Sequence, residues 1–187
     1  MGYYDHKRNV EKYIEMMAGF DNTALIEMVY DNLPSGKRLL ELGIGAGQDL
    51  AELKKAYDVT GSDHSKAFLQ AYHKKDPDLP LLHLDAATLK TEETFDYIFS
   101  NKVLIHLTDT ELKASFRNQA LRLNAGGLVF HTFNFGQGKA HFHGLLFNNH
   151  TPEDITASAA EWFTRVRSAR YTEMEPDDSF YVVLQKK

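Results

Sequence analysis

A glycine-rich turn between a predicted strand and a predicted helix constrains this chain more than any other feature. Residues 39–42 form a predicted buried strand, Gly43, Gly45 and Gly47 follow at alternate positions, and a helix with Leu50 on its inner face comes next. Without Cβ atoms, a ligand can approach the backbone closely, and the helix N-terminus presents free N–H groups. The turn therefore predicts a site for a nucleotide-like ligand.

The spacing of these glycines and the acid before them narrow the ligand. Dinucleotide folds use Gly-x-Gly-x-x-Gly, whereas this chain has Gly-x-Gly-x-Gly with Glu41 two positions ahead of the first glycine. A carboxylate at Glu41 would repel phosphate but suits the cationic amino-acid portion of a ligand. The alternative is a tight turn whose glycines serve packing alone.

Two further acids follow the next two predicted strands. Asp63, at the end of the second strand, has the position from which a carboxylate accepts hydrogen bonds from both ribose hydroxyls. A helix cap is the alternative for this residue, and Ser65 competes for that role. Asp85 with Ala86 ends the third strand, where a carboxylate can accept from an adenine amine and a small neighbour leaves space for the ring.

The order of the predicted elements indicates an α/β fold. Residues 1–34 show helical periodicity and form a predicted cap, and strands alternate with amphipathic helices from residue 35 onwards. Such alternation predicts a parallel sheet with helices on both faces. Thr108 with Glu111 predicts a capping box ahead of one of these helices.

The C-terminal part departs from this alternation. A helix is predicted to start at Thr151 and to carry Trp162, Phe163 and Val166 on its inner face, with the arginines up to Arg170 near its end. Residues 168–175 and 179–185 are too close for a crossover helix, so they predict a hairpin whose second strand enters the sheet antiparallel. Residues 135–150 are predicted to be the least regular segment.

Size and charge exclude several classes of protein. The 187 residues suit one compact domain, and the net charge of −5 with scattered basic residues argues against a nucleic-acid partner. The lack of cysteine excludes disulfides and thiolate chemistry, and no apolar stretch is long enough for a membrane span. We expect a soluble, cytoplasmic monomer or homodimer with no membrane partner.

These motifs together resemble the class I S-adenosylmethionine-dependent methyltransferases over about residues 35–187, the predicted methyltransferase domain. The run from Glu41 to Gly47 resembles the first motif of that family, residues 95–107 resemble its fourth-strand motif, and residues 123–127 resemble the turn before its fifth strand. The resemblance implies a Rossmann-like, seven-stranded, mostly parallel sheet with an antiparallel strand from the C-terminal hairpin. The cofactor it implies is S-adenosylmethionine.

The resemblance also implies roles for individual residues. The backbone at Gly43, Gly45 and Gly47 would contact the methionine and ribose parts of the cofactor, and Asp63 would hold the ribose. Asp85 and Ala86 would form the pair on the adenine side of the cofactor. Asn101 and Val103 would border the cofactor from the fourth strand.

Methyl transfer from a sulfonium is an in-line displacement, so alignment is the main task of the protein, and a base is needed where the acceptor loses a proton. His106 is the first candidate for that base because it follows the fourth strand at the carboxyl edge of the sheet. Its alternative is a histidine packed against the next helix. His131 on the fifth strand is a weaker candidate.

Other aromatic and histidine residues carry weaker indications. His141, His143 and His150 could form a metal site, but three imidazoles without a carboxylate in an irregular loop favour a lid, so we predict no metal. Tyr3, Tyr4 and Tyr13 could close over the cofactor sulfonium, or serve as ordinary core or surface residues.

The methyl acceptor is predicted to be a small organic molecule. Residues 101–104 lack the Pro-Pro pattern with which relatives clamp planar amino groups, and without cysteine base C5 methylation is excluded. We expect the acceptor pocket to be built from residues 1–34, the edge from Asn101 to Leu107 and the segment 135–150. The alternatives are a protein or tRNA methyltransferase and a non-catalytic S-adenosylmethionine-binding subunit.

Overall fold

A seven-stranded sheet lies at the centre of the molecule, which the computed structural model describes from residue 3 to residue 187. Its strands, in sheet order, are β3 (Leu81–His83), β2 (Asp58–Asp63), β1 (Arg38–Leu42), β4 (Phe95–Asn101), β5 (Leu123–Asn134), β9 (Ser179–Lys186) and β8 (Phe163–Tyr171). The pairs from β3 to β5 are parallel, and β9 runs antiparallel to both β5 and β8. The predicted mostly parallel sheet with an antiparallel C-terminal strand is confirmed.

Helices cover both faces of this sheet. They are α1 (Lys7–Met17), α2 (Thr23–Asn32), α3 (Gln48–Leu53), α4 (Lys66–Lys75), α5 (Asp109–Arg122) and α6 (Pro152–Ala159). Successive side chains of a strand point to opposite faces, so Leu39 packs in the cluster with α2 and α3 while Leu40 packs in the cluster with α5 and α6. Each face of the sheet therefore has its own apolar core.

The two N-terminal helices differ in how they attach to the sheet. In α2, Leu25, Ile26 and Val29 are buried against one face of the sheet, whereas in α1 only Val10 is buried. The amphipathic helix α1 thus has one anchored position, and the remainder of its inner side faces the carboxyl edge of the strands, where Tyr13 lines a cavity. A 3₁₀ turn over Tyr3–Asp5 precedes it.

The predicted helix starts are confirmed at two capping boxes. Thr108 and Glu111 exchange the reciprocal hydrogen bonds of the motif at the start of α5, and Thr151 and Asp154 do the same at the start of α6.

Two sequence-based expectations for the C-terminal half are wrong. Helix α6 ends at Ala159, and Phe163, Val166 and Arg170 lie in strand β8, where pairing with β9 leaves Val166 on an exposed surface. The segment 135–150 is not irregular, because β6 (Lys139–Phe142) and β7 (Leu145–Asn148) form an antiparallel hairpin of their own. In both cases pairing between consecutive strands of a hairpin overrides the pattern of single residues.

Every helix within residues 3–187 is too short or too polar to cross a lipid bilayer.

Candidate functional site

Two adjoining cavities open at the carboxyl edge of β1, β2 and β4, where ligands bind in open α/β sheets. The main cavity has a volume of about 550 Å³ and extends from the glycine turn to the 3₁₀ turn after β4 and the β6–β7 hairpin. A smaller recess of about 240 Å³ lies along the turn and the start of α3. Both are lined by Gly43, Gly45, Tyr13, Asn101 and Lys102, so these residues form the junction between the two cavities.

The glycine turn fits between its neighbours only because it lacks side chains. Gly43, Gly45 and Gly47 all have positive φ angles. A Cβ on Gly43 would lie 2.4 Å from a methyl carbon of Val103, and one on Gly47 would lie 2.1 Å from the ring of Tyr72. The turn is therefore held close to the loop after β4 on one side and to α4 on the other, with its backbone facing the cavities.

Asp63 joins the second strand to this turn. Its Oδ2 accepts the backbone N–H of Gly45 at 3.1 Å, and its Oδ1 accepts that of Ser65 at 2.8 Å. Burial raises the pKa of this carboxyl, opposed by the hydrogen bonds from Ser65 and Gly45. Ser65 performs the capping role itself, because its hydroxyl accepts from Phe68 at the start of α4. Asp63 thus lines the main cavity with lone pairs left for a ligand.

Glu41 lies at the end of β1 under the turn and is 2% exposed. Its Oε2 has no hydrogen-bond partner among the described residues. Burial, with Asp49 and Asp63 nearby, raises the pKa of Glu41 well above its ordinary value. An unpartnered buried carboxyl oxygen is costly, and a cation beside it would remove that cost.

The recess is acidic. Asp49, in the first turn of α3, accepts amide hydrogen bonds from Asn22 at 2.6 Å and from Asn101 at 3.0 Å. Burial raises the pKa of Asp49, and those two amides oppose the shift. Glu173 enters the same recess from the β8–β9 turn. The recess therefore places two carboxylates beside the glycine turn.

Lys102 fixes Glu173 at that position. Its ammonium lies 2.9 Å from the carboxylate of Glu173 and donates to Asn134 at 2.9 Å and to Ser179 at 2.7 Å. The residue has a φ angle of 55°, a left-handed conformation that costs a side-chain-bearing residue free energy. The strained residue is held by its backbone N–H, which donates to Thr132.

His106 lies in the 3₁₀ turn after β4 and lines the main cavity. Its Nδ1 is 2.6 Å from the carbonyl oxygen of Leu146 in strand β7. A carbonyl oxygen only accepts, so Nδ1 carries the proton, and in the neutral ring Nε2 carries the lone pair. Burial lowers the pKa of His106, opposed by the bond to Leu146. The ring is therefore a neutral proton acceptor.

Aromatic side chains roof the main cavity from two separate elements. The ring of Tyr3 stacks on that of His143, in the turn of the hairpin, with centroids 5.0 Å apart and planes at 17°. The rings of Tyr4 and Tyr13 pack against that of Phe68 in α4, with centroids 5.2 and 5.5 Å away. The N-terminal segment and the hairpin thus meet over the cavity, in the region where the sequence placed the acceptor pocket.

Some predicted site residues lie apart from this group. Asp85 follows β3 with its carboxylate accepting the N–H groups of Ala87 and Thr88, and neither Asp85 nor Ala86 lines either cavity. His131 is fully buried between Ser100 and Gln119, each 2.8 Å from a ring nitrogen.

The three histidines considered for a metal are also separate. His141 and His143 lie at the exposed end of the hairpin, and His150 is buried beyond β7. Within the described part of the chain, no three metal-ligating side chains converge.

Sequence reasoning missed Asp49, Lys102 and Glu173. Asp49 comes two residues after Gly47, in the first turn of α3, so its proximity to the glycine turn could be read from the sequence. Glu173 is 71 residues beyond Lys102, and only the insertion of β9 next to β5 brings the two together.

Comparisons with known proteins agree with this geometry. A family model described as "Methyltransferase domain" matches residues 39–127, just under half of the chain. No curated protein matches this chain significantly. A TehB-like SAM-dependent methyltransferase from Corynebacterium glutamicum has a similar structure, with a TM-score of 0.78 and 20% identity over 97% of this chain and 98% of that one.

Two further solved structures are similar to this chain. The 1,6-didemethyltoxoflavin-N1-methyltransferase of Burkholderia thailandensis has a TM-score of 0.77 and 18% identity over 95% of this chain and 84% of that one. The N-methyltransferase NodS of Bradyrhizobium japonicum has a TM-score of 0.73 and 16% identity over 96% and 97%. Residues 39–127 of this chain therefore match the methyltransferase family model, and the chain shares its fold with solved S-adenosylmethionine-dependent methyltransferases.

Proposed function

We propose that this enzyme transfers the methyl group of S-adenosylmethionine to a small organic molecule in the main cavity. The observation that carries the proposal is the aromatic roof, which encloses the space between the cofactor-side residues and His106. An acceptor there is covered by the N-terminal segment and by the hairpin. Such a cover suits a compact molecule better than a folded protein or tRNA.

The acidic residues around the glycine turn fit this cofactor. It carries a sulfonium and an ammonium, and the structure offers an unpartnered buried carboxyl oxygen on Glu41 and two carboxylates in the recess. We assign the recess with Asp49 and Glu173 to the amino-acid part, and Asp63 to the ribose hydroxyls. Tyr13, which lines both cavities, can contribute cation–π attraction to the sulfonium.

The remaining cofactor assignments follow the sequence motifs. Gly43, Gly45 and Gly47 contact the cofactor through their backbone, and Asn101 at the end of β4 and Val103 in the loop after it border the cofactor. Asp85 and Ala86 keep their proposed place on the adenine side. Ser115 of α5 holds Ala86 in place, because the Ser115 hydroxyl donates a hydrogen bond to the Ala86 carbonyl oxygen at 2.6 Å.

The cofactor supplies an already activated methyl electrophile, so the chain has to align the acceptor and, where needed, accept its proton. His106 is the proposed acceptor of that proton. Its ring is oriented by the carbonyl of Leu146, which leaves Nε2 for the substrate. The hairpin therefore both covers the cavity and sets the tautomer of the base.

Transfer of a radiolabelled methyl group into a size-fractionated cell extract tests the proposal. We expect label in the low-molecular-weight fraction, and less of it with Asp63→Ala than with wild type. Label confined to protein or RNA would favour a macromolecular acceptor. Cofactor binding without label in any fraction would favour a non-catalytic binding subunit.

A further inference from the structure

The lining of the main cavity identifies the chemical class of the acceptor more closely. We propose that the acceptor is a flat aromatic or heteroaromatic compound whose nucleophile is a protic O–H or ring N–H and which carries no positive charge. This inference rests on the proposed function and concerns the acceptor side of the same cavity. Three independent features of that side support it.

The first feature is the aromatic character of the lining. Tyr3 of the N-terminal segment stacks on His143 of the hairpin, so the two elements meet in a contact between rings. On the hairpin side, Phe147 stands edge-on to His106, with centroids 4.9 Å apart and planes at 84°. Aromatic side chains from both elements thus line the cavity, and such a lining favours a planar ring, which can add an offset-stacked or edge-to-face contact, over a saturated one.

The second feature is the distribution of charge. Among the side chains that the structure describes, Asp63 is the only carboxylate that lines the main cavity, and two backbone N–H groups already bond to it. The other ionisable groups there are basic or phenolic, and they include Lys12, His64 and His143. The acids gather in the recess instead, at Asp49 and Glu173. A cationic acceptor would therefore find no counter-charge among the described side chains at the outer end of the main cavity.

The third feature is the tautomer of His106. With Nδ1 donating to Leu146, the lone pair on Nε2 is the hydrogen-bond acceptor offered by this ring, and Nε2 has no partner among the described residues. A neutral imidazole can accept the hydrogen bond of a phenol or azole, but it cannot donate one from Nε2. An aliphatic amine enters protonated near neutral pH and would need a counter-charge that no described side chain supplies at the outer end of this cavity.

The transfer step balances for such an acceptor. The acceptor oxygen or nitrogen forms a bond to the methyl carbon as the carbon–sulfur bond breaks, and the bonding pair stays on sulfur. The proton of the acceptor passes to Nε2 of His106 and later to solvent.

Equilibrium binding tests this class without any turnover. Calorimetry of the full chain saturated with S-adenosylhomocysteine would compare 2-naphthol with its methyl ether, with the saturated alcohol 2-decalol, and with the 2-naphthylmethylammonium ion. We expect 2-naphthol to bind about tenfold or more tightly than each of the other three. Equal or tighter binding of the decalol or of the cation would overturn the inference, as would no binding of 2-naphthol.

A variant separates the role of His106 from simple packing. With His106→Leu, the preference for 2-naphthol over its methyl ether should shrink toward equality, because a leucine side chain has no hydrogen-bond acceptor. The preference over decalol should persist. The matched control, His73→Leu on the exposed end of α4, should leave both preferences unchanged.

The same experiment distinguishes a failure of the proposed function from a failure of the inference about the acceptor. Failure of S-adenosylhomocysteine to bind would contradict the proposed function itself. Binding of S-adenosylhomocysteine with an unchanged O–H preference in His106→Leu would contradict the inference about the acceptor alone. Should the variant lose its fold, the four wild-type affinities still decide the acceptor class.

Discussion

The carboxylate of Asp63 accepts a hydrogen bond from the backbone N–H of Gly45 at 3.1 Å, so the end of β2 fixes the glycine turn that follows β1. The two sequence motifs that point to a nucleoside ligand are thus one structural unit. This relationship explains why Asp63 has two roles, as a support for the turn and as a proposed ligand of the ribose.

Replacing Asp63 with alanine should therefore weaken binding of S-adenosylhomocysteine by about 1–3 kcal/mol, the usual cost of leaving polar groups unpaired. Calorimetry measures the loss. The matched control is Asp58→Ala, at the opposite, exposed end of the same strand, which should leave the affinity as in wild type. Equal effects of the two variants would mean that the ribose lies elsewhere.

Alanine substitutions in the glycine turn separate backbone strain from crowding. Gly43→Ala should lower the free energy of unfolding for two reasons. The alanine would have to adopt a positive φ angle, and its Cβ would clash with the side chain of Val103. Gly36 has a positive φ with no atom within 4 Å of the added Cβ, so Gly36→Ala should cost only about 1 kcal/mol. Chemical denaturation should show a further loss of about 1–3 kcal/mol for Gly43→Ala. Equal losses would contradict the close packing of the turn.

Glu173 provides a test of the recess. Glu173→Gln should weaken binding of both S-adenosylmethionine and S-adenosylhomocysteine by about 1–2 kcal/mol, since both carry the ammonium group assigned to the recess. Glu175→Gln, on the exposed part of the same turn, is the control. An undiminished affinity in Glu173→Gln would remove this residue from the cofactor site.

Cofactor binding should release a proton from Glu41. Burial and two neighbouring acids raise the pKa of this carboxyl in the free protein, and a cation beside it would lower that pKa. A group whose pKa falls on binding gives up a proton, so the affinity should rise with pH between the ordinary and the raised pKa.

Titrations in two buffers of different ionisation enthalpy detect that proton. The observed binding enthalpy should differ between the buffers for wild type, and the difference should diminish for Glu41→Gln. Buffer-independent enthalpies for wild type would argue against a cation next to Glu41.

His131 should make the folded protein sensitive to acid. Burial lowers its pKa from 6.5 to about 3, so below about pH 6.5 the unfolded chain takes up a proton that the folded chain does not. Stability should fall as the pH falls, by about 2 kcal/mol from this residue between about pH 7 and pH 5.

Denaturant unfolding at the two pH values checks the size of this effect. His131→Gln, which has no titrating ring, should lose less stability than wild type over that range, although it starts lower. His73→Gln should follow the wild-type slope. An identical slope for His131→Gln would show that the ring already titrates alike in both states.

The parts of the fold that sequence predicted are those with strong local signals. Leu39 and Leu40 mark a strand buried on both faces, and Thr108 with Glu111 marks a helix start. Val166 was assigned to a helix because its spacing from Trp162 is helical. The structure instead pairs this segment with β9 in a hairpin, and that strand pairing outweighs the helical spacing.

The site divides in the same way. Glu41, Gly43 and Asp63 lie within motifs that are read locally, and the structure brings Gly43 and Asp63 to one cavity with Glu41 beneath. The contact of Lys102 with Glu173 and that of His106 with Leu146 depend on where the C-terminal strands and the hairpin fold back. The spacing of residues in the sequence does not predict such long-range contacts.

Calorimetric titration with S-adenosylmethionine, S-adenosylhomocysteine and NAD tests the central claim most directly. The account predicts one saturable site that takes both sulfur compounds, mutual competition between them, and no measurable binding of NAD. Binding of NAD with neither sulfur compound bound would contradict the account and would assign the glycine turn to a dinucleotide.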